Sequence, residues 1–208
     1  MIRLAQASSS ENYTKYGVAP NQRRTGVTAE KPEGNLDGEL NVIAFYSGCE
    51  CVYRPVDKSI GSKIADFMYK AVANGSHIGY SWSGNTGVFD ALKSINSTDP
   101  SQIKTLVNCD CASLVGAAIY YSGIKIDALR TLTTAKMNEI LMGSNAFTKL
   151  TSKELCQEGK GVLVGDIFWR SGHTAVSLDN DPDTPAVEDD EIVFNVPSKY
   201  KRVIINRV

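Results

Sequence analysis

The hydrophobic pattern of this chain changes period once, and that change limits the folds open to it. Between residues 57 and 143, apolar residues recur three or four positions apart, as on one face of a helix. From residue 161 onward they alternate or form short β-branched runs, as in strands. Helices that precede strands, rather than alternate with them, indicate an α+β fold with helices packed on a small antiparallel sheet.

Local signals place the helices. The clearest helix is expected at 57–75, where Asp57 or Ser59 can cap the first turn and Gly75 can end the last. A second helix is expected at 111–122, a third at 133–142, and a short fourth after the capping box Thr151-x-x-Glu154.

Strands are expected on both sides of the helices. Two short ones are predicted at 40–46 and 49–55, and the C-terminal sheet is predicted from "GVLVGDIFWR", "HTAVSLD", "DEIVFNV" and "KRVIINRV". Residues 1 to about 40 are polar and show no hydrophobic period, which is typical of an extended arm. We therefore expect an N-terminal extension over 1–55, with possible short strands, and a single domain over 56–208.

Composition excludes some classes of protein. The 208 residues carry a net charge of -1 and a pI near 6.1, which gives no electrostatic argument for binding nucleic acid. The sequence contains no run of about 18 apolar residues, so no membrane span is predicted. The first residues contain no apolar segment of the kind found in secretory signals, so synthesis in the cytoplasm without a signal peptide is expected.

Five cysteines and only two histidines restrict the possible chemistry. Cys111 stands at a predicted helix start, where the helix dipole and unpaired N–H groups favour a thiolate and can hold an oxyanion. His173 follows Gly172 and opens a predicted strand, a more rigid position than the loop that holds His77. These features predict a Cys111–His173 pair, although a buried cysteine in a helix is more often a small apolar core residue.

A zinc site is the alternative use of the cysteines. Cys49, Cys51, Cys109 and Cys111 could together supply four thiolates. The Cys-x-Cys spacing argues against this reading, because two such thiols point to opposite faces of a strand.

Three segments resemble a known family. "NCDCASLVGAAIYYSGI" resembles the Asp-Cys-Ser-x-Leu-Val nucleophile motif of NlpC-type cell-wall peptidases, which are papain-like enzymes related to the CHAP amidohydrolases. "GDIFWRSGHTAVSLDND" resembles their later block, which carries the base. "NGSHIGYSW" resembles the segment upstream of the nucleophile in phage endolysins of this kind. The resemblance covers roughly residues 60 to 180.

The resemblance implies a papain-like fold and a peptidoglycan hydrolase that needs no cofactor or metal. It implies that Cys111 is the nucleophile, that His173 is the general base and acid, and that the Tyr80 hydroxyl lies near the nucleophile. Ala112 replaces the usual serine after the cysteine. Trp82 is expected to line the substrate groove with Tyr80. The bond cleaved stays open between a γ-D-glutamyl–diamino acid bond and the muramoyl–L-alanine bond of a Gram-positive wall.

The residue that orients His173 is not evident from the sequence. If "HTAVSLD" and "DEIVFNV" pair as a hairpin, residue 173 falls opposite about 195, which makes Asn195 the expected third member of a Cys–His–Asn set. Asp179 and Glu188 are the rivals for this role.

A different class of function is a phage tail or baseplate component with a degenerate peptidase fold. The polar arm "GVAPNQRRTGVTAEKPEGN" could then dock to other tail proteins. Either way, action is expected at the cell wall, after release from the cell or as part of a phage particle.

Overall fold

A computed structural model of the chain describes residues 1–8, 39–75, 77–82 and 84–183. The predicted strands "DEIVFNV" and "KRVIINRV" lie outside these residues. So do Asn195, Glu188 and most of the polar arm, including the segment expected to dock to tail proteins.

Five helices and eight strands make up the described chain. The helices are α1 (Lys58–Ala73), α2 (Gly87–Ser94), α3 (Cys111–Tyr121), α4 (Thr134–Gly143) and α5 (Lys153–Glu158). The strands are β1 (Arg3–Ala7), β2 (Leu40–Ala44), β3 (Cys51–Pro55), β4 (Ile78–Tyr80), β5 (Val107–Cys109), β6 (Phe147–Leu150), β7 (Ile167–Arg170) and β8 (His173–Ser177). Short 3₁₀ turns cover Pro100–Gln102 and Asp127–Thr131.

Six strands form one sheet in the order β2-β1-β8-β7-β3-β6, and each neighbouring pair is antiparallel. The remaining two, β4 and β5, pair in parallel as a separate ribbon. Helices packed on a mostly antiparallel sheet confirm the predicted α+β class.

The first strand was not expected from the sequence. β1 lies between β2 and β8, with Leu4 opposite Ser177 on one side and Ile43 on the other. Leu4 and Ala5 are fully buried, because an interior strand is covered on both faces. Residues 1–8 are therefore part of the sheet rather than of an arm, and the sheet crosses the boundary expected at residue 55.

β8 pairs with β7 from His173 to Val176, and with β1 at Val176 and Ser177. Asn195 and the strand expected to carry it lie outside the described residues, so the role of Asn195 in orienting His173 stays a prediction.

The core has two parts, one on each face of the sheet. The larger packs α1 and α3 against the sheet, and α3 is buried at every position from Cys111 to Ile119. The smaller packs Leu155 and Cys156 of α5 on the opposite face. Each fully buried Leu or Ile contributes roughly 1.5–3 kcal/mol relative to an exposed one. The near-absence of a polar face on α3 explains why this helix sits at the centre of the domain.

Most predicted helix starts are confirmed. Asp57 caps α1 by accepting from the Ser59 N–H at 2.8 Å, and Thr133 caps α4. The start of α5 was predicted wrongly: Ser152, not Thr151, accepts from the Leu155 N–H. In the described part of the chain, none of the helices combines the length and apolar character that crossing a bilayer requires.

Candidate active site

Cys111 is the first residue of α3, and its position is fixed by a reciprocal cap. The Asp110 carboxylate accepts from the Ser113 N–H at 2.7 Å, while the Ser113 hydroxyl accepts from the Asp110 N–H at 2.9 Å. Such a capping box satisfies two of the N–H groups that a helix start leaves unpaired. The cysteine thereby gains a rigid mount, and the predicted helix start is confirmed.

The start of α3 lies against the start of β8. The Cys111 thiol donates to the backbone oxygen of Gly172 at 4.0 Å, and the N–H of Thr174 faces the sulfur. These two residues flank His173. The structure therefore brings the predicted nucleophile to the strand end that carries the predicted base, across 61 residues of sequence.

Gln6 on β1 holds the imidazole of His173. Its side-chain oxygen lies 2.7 Å from His173 Nε2, and its amide nitrogen donates to Asn41 Oδ1 at 3.1 Å. Since an amide oxygen only accepts, Nε2 must be the protonated ring nitrogen. Nδ1 is then the nitrogen that can accept a proton. Gln6 and Asn41 are both buried, so this orientation is well constrained.

Burial favours the neutral forms of both Cys111 and His173. It raises the pKa of the Cys111 thiol to about 11, and the Asp110 carboxylate adds to the increase. The N–H groups of Thr174, Ala112 and Cys111 itself act in the opposite direction. Burial lowers the pKa of His173 to about 4, and the positive charge of Arg170 adds to the decrease. At neutral pH, Cys111 is thus a thiol and His173 a neutral imidazole.

Tyr80 lies within electrostatic range of Cys111, and Trp82 is hydrogen-bonded to Tyr80. The Trp82 indole donates to the Tyr80 hydroxyl at 2.9 Å, and the Tyr80 N–H donates to Glu39 at 2.7 Å. Burial raises the pKa of Tyr80 to about 12, and Cys111 is among the acidic groups that add to this increase. Tyr80 is therefore a neutral phenol, and Trp82 is 63% exposed.

Two further side chains border the site and were not predicted. Arg170 ends β7 directly opposite His173, and its guanidinium lies 5.5 Å from the centre of the Tyr46 ring. Burial raises the pKa of Tyr46, Arg170 opposes the increase, and Cys49 and Cys111 add to it. Tyr46 and Arg170 therefore interact electrostatically with the candidate site: Cys111 acts on the pKa of Tyr46, and Arg170 acts on the pKa of His173.

The rivals for orienting His173 lie elsewhere or outside the described residues. Asp179 accepts from the Arg3 backbone N–H at 2.8 Å and from its guanidinium nitrogens at 2.9 Å. This ion pair ties the end of β8 to β1. Gln6 was missed because it lies in the five-residue stretch "RLAQA", which carries no motif that points to a site.

The Gly-Asp pair that opens the later sequence block is structural. Asp166 is fully buried and accepts from Arg54 at 2.8 and 2.6 Å and from the Leu163 N–H at 2.9 Å. Gly165 has a φ of +83° and lies against the backbone of Gly61, so a side chain there would collide with α1.

The four cysteines of the zinc alternative do not form one group, so that alternative is wrong for the described residues. Cys49 donates to the Cys156 backbone oxygen at 3.5 Å, and Cys109 donates to that of Gly79 at 3.6 Å. All five thiols are buried and unoxidised. In the described ranges, no three Cys, His, Asp or Glu side chains are grouped closely enough to hold a metal ion.

Comparison with known proteins gives one result. The family model described as "Endolysin-like domain" matches residues 24–184, which is more than half of the chain. No curated protein and no solved structure gives a significant match.

Proposed function

Because the chain belongs to the endolysin-like domain family, we propose that it is a cysteine hydrolase that cleaves an amide bond in the peptidoglycan stem peptide. Family membership supports the coarser statement, a phage endolysin-type hydrolase that acts on the bacterial cell wall. The identity of the nucleophile and the reaction rest on the site itself.

One observation carries the chemical part of the proposal. The thiol at the capped start of α3 touches the backbone on one side of His173, while Gln6 binds Nε2 of the same imidazole. A thiol at a helix start, an imidazole on the strand that this helix start contacts, and an amide that binds the imidazole are the components of Cys–His–amide hydrolases. The amide is supplied by a glutamine here, in the role that the sequence analysis gave to Asn195.

The reaction begins from the neutral pair. As the Cys111 sulfur attacks the amide carbonyl, its proton passes to Nδ1 of His173, and a carbon–sulfur bond forms. Backbone N–H groups at the start of α3 hold the oxyanion. The imidazolium then gives its proton to the departing amine, the carbon–nitrogen bond breaks, and a thioester remains on Cys111.

Water completes the cycle. His173, neutral again, accepts a proton from a water molecule that attacks the thioester. The acid product leaves, and the sulfur regains its proton from the imidazolium. Gln6 keeps Nδ1 directed to these transfers, because rotation of the ring would break its hydrogen bond to Nε2.

The surroundings of the site support a peptide substrate. Trp82 offers an exposed aromatic face at the rim, and its hydrogen bond to Tyr80 holds the indole in place. A cysteine-led helix packed on an antiparallel sheet whose strand begins with the histidine is also the arrangement expected of a papain-like NlpC or CHAP-type domain. Both the γ-D-glutamyl bond and the muramoyl–L-alanine bond fit this chemistry.

The test is digestion of purified Gram-positive cell wall. We expect the unmutated protein to release new amines and fragments detectable by mass spectrometry, and Cys111→Ala and His173→Ala to release none. Cys109→Ala is the matched control, because Cys109 is buried two residues away and bonded to Gly79. Absence of cleavage by the unmutated protein would refute the enzyme, and full activity in Cys111→Ala would refute this nucleophile.

A further inference from the structure

Asn85 binds the residue that precedes the candidate nucleophile. Its side-chain amide lies 2.5 Å from Oδ2 of Asp110, across 25 residues of sequence. A carboxylate only accepts hydrogen bonds, so the amide nitrogen of Asn85 is the donor. The other carboxylate oxygen, Oδ1, accepts from the Ser113 N–H in the capping box. Both oxygens of the cap are therefore held, one by the helix and the other by Asn85.

The segment that carries Asn85 packs on the strand that leads to α3. Before Asn85, the Ser81 N–H donates to the Cys109 backbone oxygen at 2.9 Å. After it, Gly87 begins α2 so close to β5 that an added Cβ would lie 2.9 Å from backbone atoms of Asn108. These backbone contacts attach the segment without the Asn85 side chain, and that side chain is left to act on the cap.

The carboxylate of Asp110 opposes the Cys111 thiolate. Its negative charge raises the pKa of the thiol, second only to burial. Tyr46 and Tyr80 also lie within electrostatic range of Cys111, but burial raises the pKa of both above 10, so they are mostly neutral below that pH. His173 is neutral above its pKa of about 4. Of these groups, Asp110 is thus the one that is charged while the thiol titrates.

We propose that Asn85 is a positioning residue for the nucleophile: by donating to Asp110, it fixes the carboxylate that caps α3 and offsets part of its negative charge beside Cys111. This inference rests on the proposed function, in which Cys111 attacks the substrate. A fixed cap keeps the N–H groups in the first turn of α3 in place for the oxyanion. A donor on the carboxylate lets the cap stay ionised with less effect on the thiolate.

The experiment measures the reactivity of Cys111 without substrate. The unmutated protein, Asn85→Ala and Asn85→Asp are treated with iodoacetamide at about pH 8, where the rate of alkylation follows the thiolate fraction. Fragmentation mass spectrometry separates Cys111 from Cys109. We expect the rate at Cys111 to fall about 2- to 3-fold in Asn85→Ala and about 10-fold in Asn85→Asp, because aspartate keeps the shape of asparagine but places a second carboxylate against Asp110.

Cleavage of a stem peptide should follow the same order. We expect kcat to fall about 5- to 10-fold in Asn85→Ala and further in Asn85→Asp, since displaced oxyanion donors add to the smaller thiolate fraction. KM should change little, because Asn85 acts through Asp110 rather than on the substrate.

Thr86→Ala is the matched control. The hydroxyl of Thr86, next to Asn85 in the same segment, donates to a different carboxylate, that of Asp90, at 2.9 Å. Its loss should loosen this segment and leave both the alkylation rate and kcat unchanged.

The outcomes separate the two proposals. Cleavage by the unmutated protein together with equal alkylation rates in all variants, or the same loss in Thr86→Ala as in Asn85→Ala, would overturn the role of Asn85 and leave the hydrolase intact. No cleavage of wall or peptide by the unmutated protein would remove the proposed function, whatever the alkylation rates. A melting curve for each variant identifies lost folding, and Asn85→Asp provides the test if Asn85→Ala unfolds.

Discussion

Gln6 gives His173 a defined tautomer. Its oxygen accepts from Nε2 at 2.7 Å, and its amide nitrogen is in turn held by Asn41. Both amides are buried, so water does not replace them easily. The imidazole is therefore oriented by two residues from the N-terminal strands.

Removing this bond should slow the chemistry more than binding. We predict that Gln6→Ala lowers kcat about 100-fold with little change in KM, because a misplaced base loses much of the acid–base contribution. Gln6→Glu keeps an acceptor and should restore much of kcat, while its charge raises the pKa of His173. Steady-state kinetics on a stem peptide measures both.

The exposed Gln102 provides the comparison, and Gln102→Ala should behave like the unmutated protein. If Gln6→Ala retained full kcat while folded, Gln6 would have no orienting role.

Titration of His173 predicts the acid limit of activity. Its pKa is lowered from 6.5 to about 4, chiefly by burial and then by Arg170, so the neutral base is available down to that pH. We predict a flat kcat/KM through neutral pH that falls near pH 4. Arg170→Gln should move this fall to higher pH, because it removes a charge that disfavours imidazolium. A fall near pH 6.5 in the unmutated protein would contradict this.

The lowered pKa of His173 also makes the stability of the fold depend on pH. Between pH 6.5 and 4 the unfolded chain binds more protons at His173 than the folded chain does, so the free energy of unfolding decreases as the pH falls through that interval.

At the scale of elements, α3, which begins with Cys111, packs closely on its neighbours. Gly116 allows this approach: a Cβ there would collide with the Leu129 backbone oxygen and lie 3.1 Å from Leu132 Cβ. Backbone cannot move aside as a flexible side chain can. A glycine at position 116 is thus required by the contact between α3 and the turn Asp127–Thr131.

Substitutions at two helical glycines, Gly116 and Gly143, test how closely α3 packs on this turn. Gly116→Ala should destabilise the protein by about 1–3 kcal/mol through overpacking. Gly143→Ala, at the end of α4 with nothing within 4 Å of the added methyl, should be neutral or stabilising by up to about 1 kcal/mol. Denaturant unfolding of both variants measures the difference. Equal changes in the free energy of unfolding would mean that residue 116 has more room for a methyl group than the structure shows.

Local signals were sufficient to predict some elements and not others. The cap at Asp110 and the apolar run after it predicted α3, because capping and helical period are local properties. The strand "RLAQA" was missed because five residues are too few to show a clear hydrophobic period next to the polar segment that follows them. Its burial depends on β2 and β8, which are distant in sequence.

At the scale of the whole molecule, the candidate site is assembled from four separate segments. Gln6 comes from β1, Asn41 from β2, Cys111 from α3 and His173 from β8. Cys111 and His173 were predicted because each stands at the start of a recognisable element. Gln6, which bonds to His173, was not predicted, because its position depends on β1 lying beside β8, and these two strands are distant in sequence.

The central claim is that Cys111 forms a covalent acyl intermediate. Its most direct test is acid quenching of the protein during turnover of a stem peptide, followed by intact-mass measurement and peptide mapping. We predict an added mass equal to the acyl fragment, located on the peptide that contains Cys111, and none in Cys111→Ala. Turnover without an adduct in a folded protein, together with full activity in Cys111→Ala, would contradict the account.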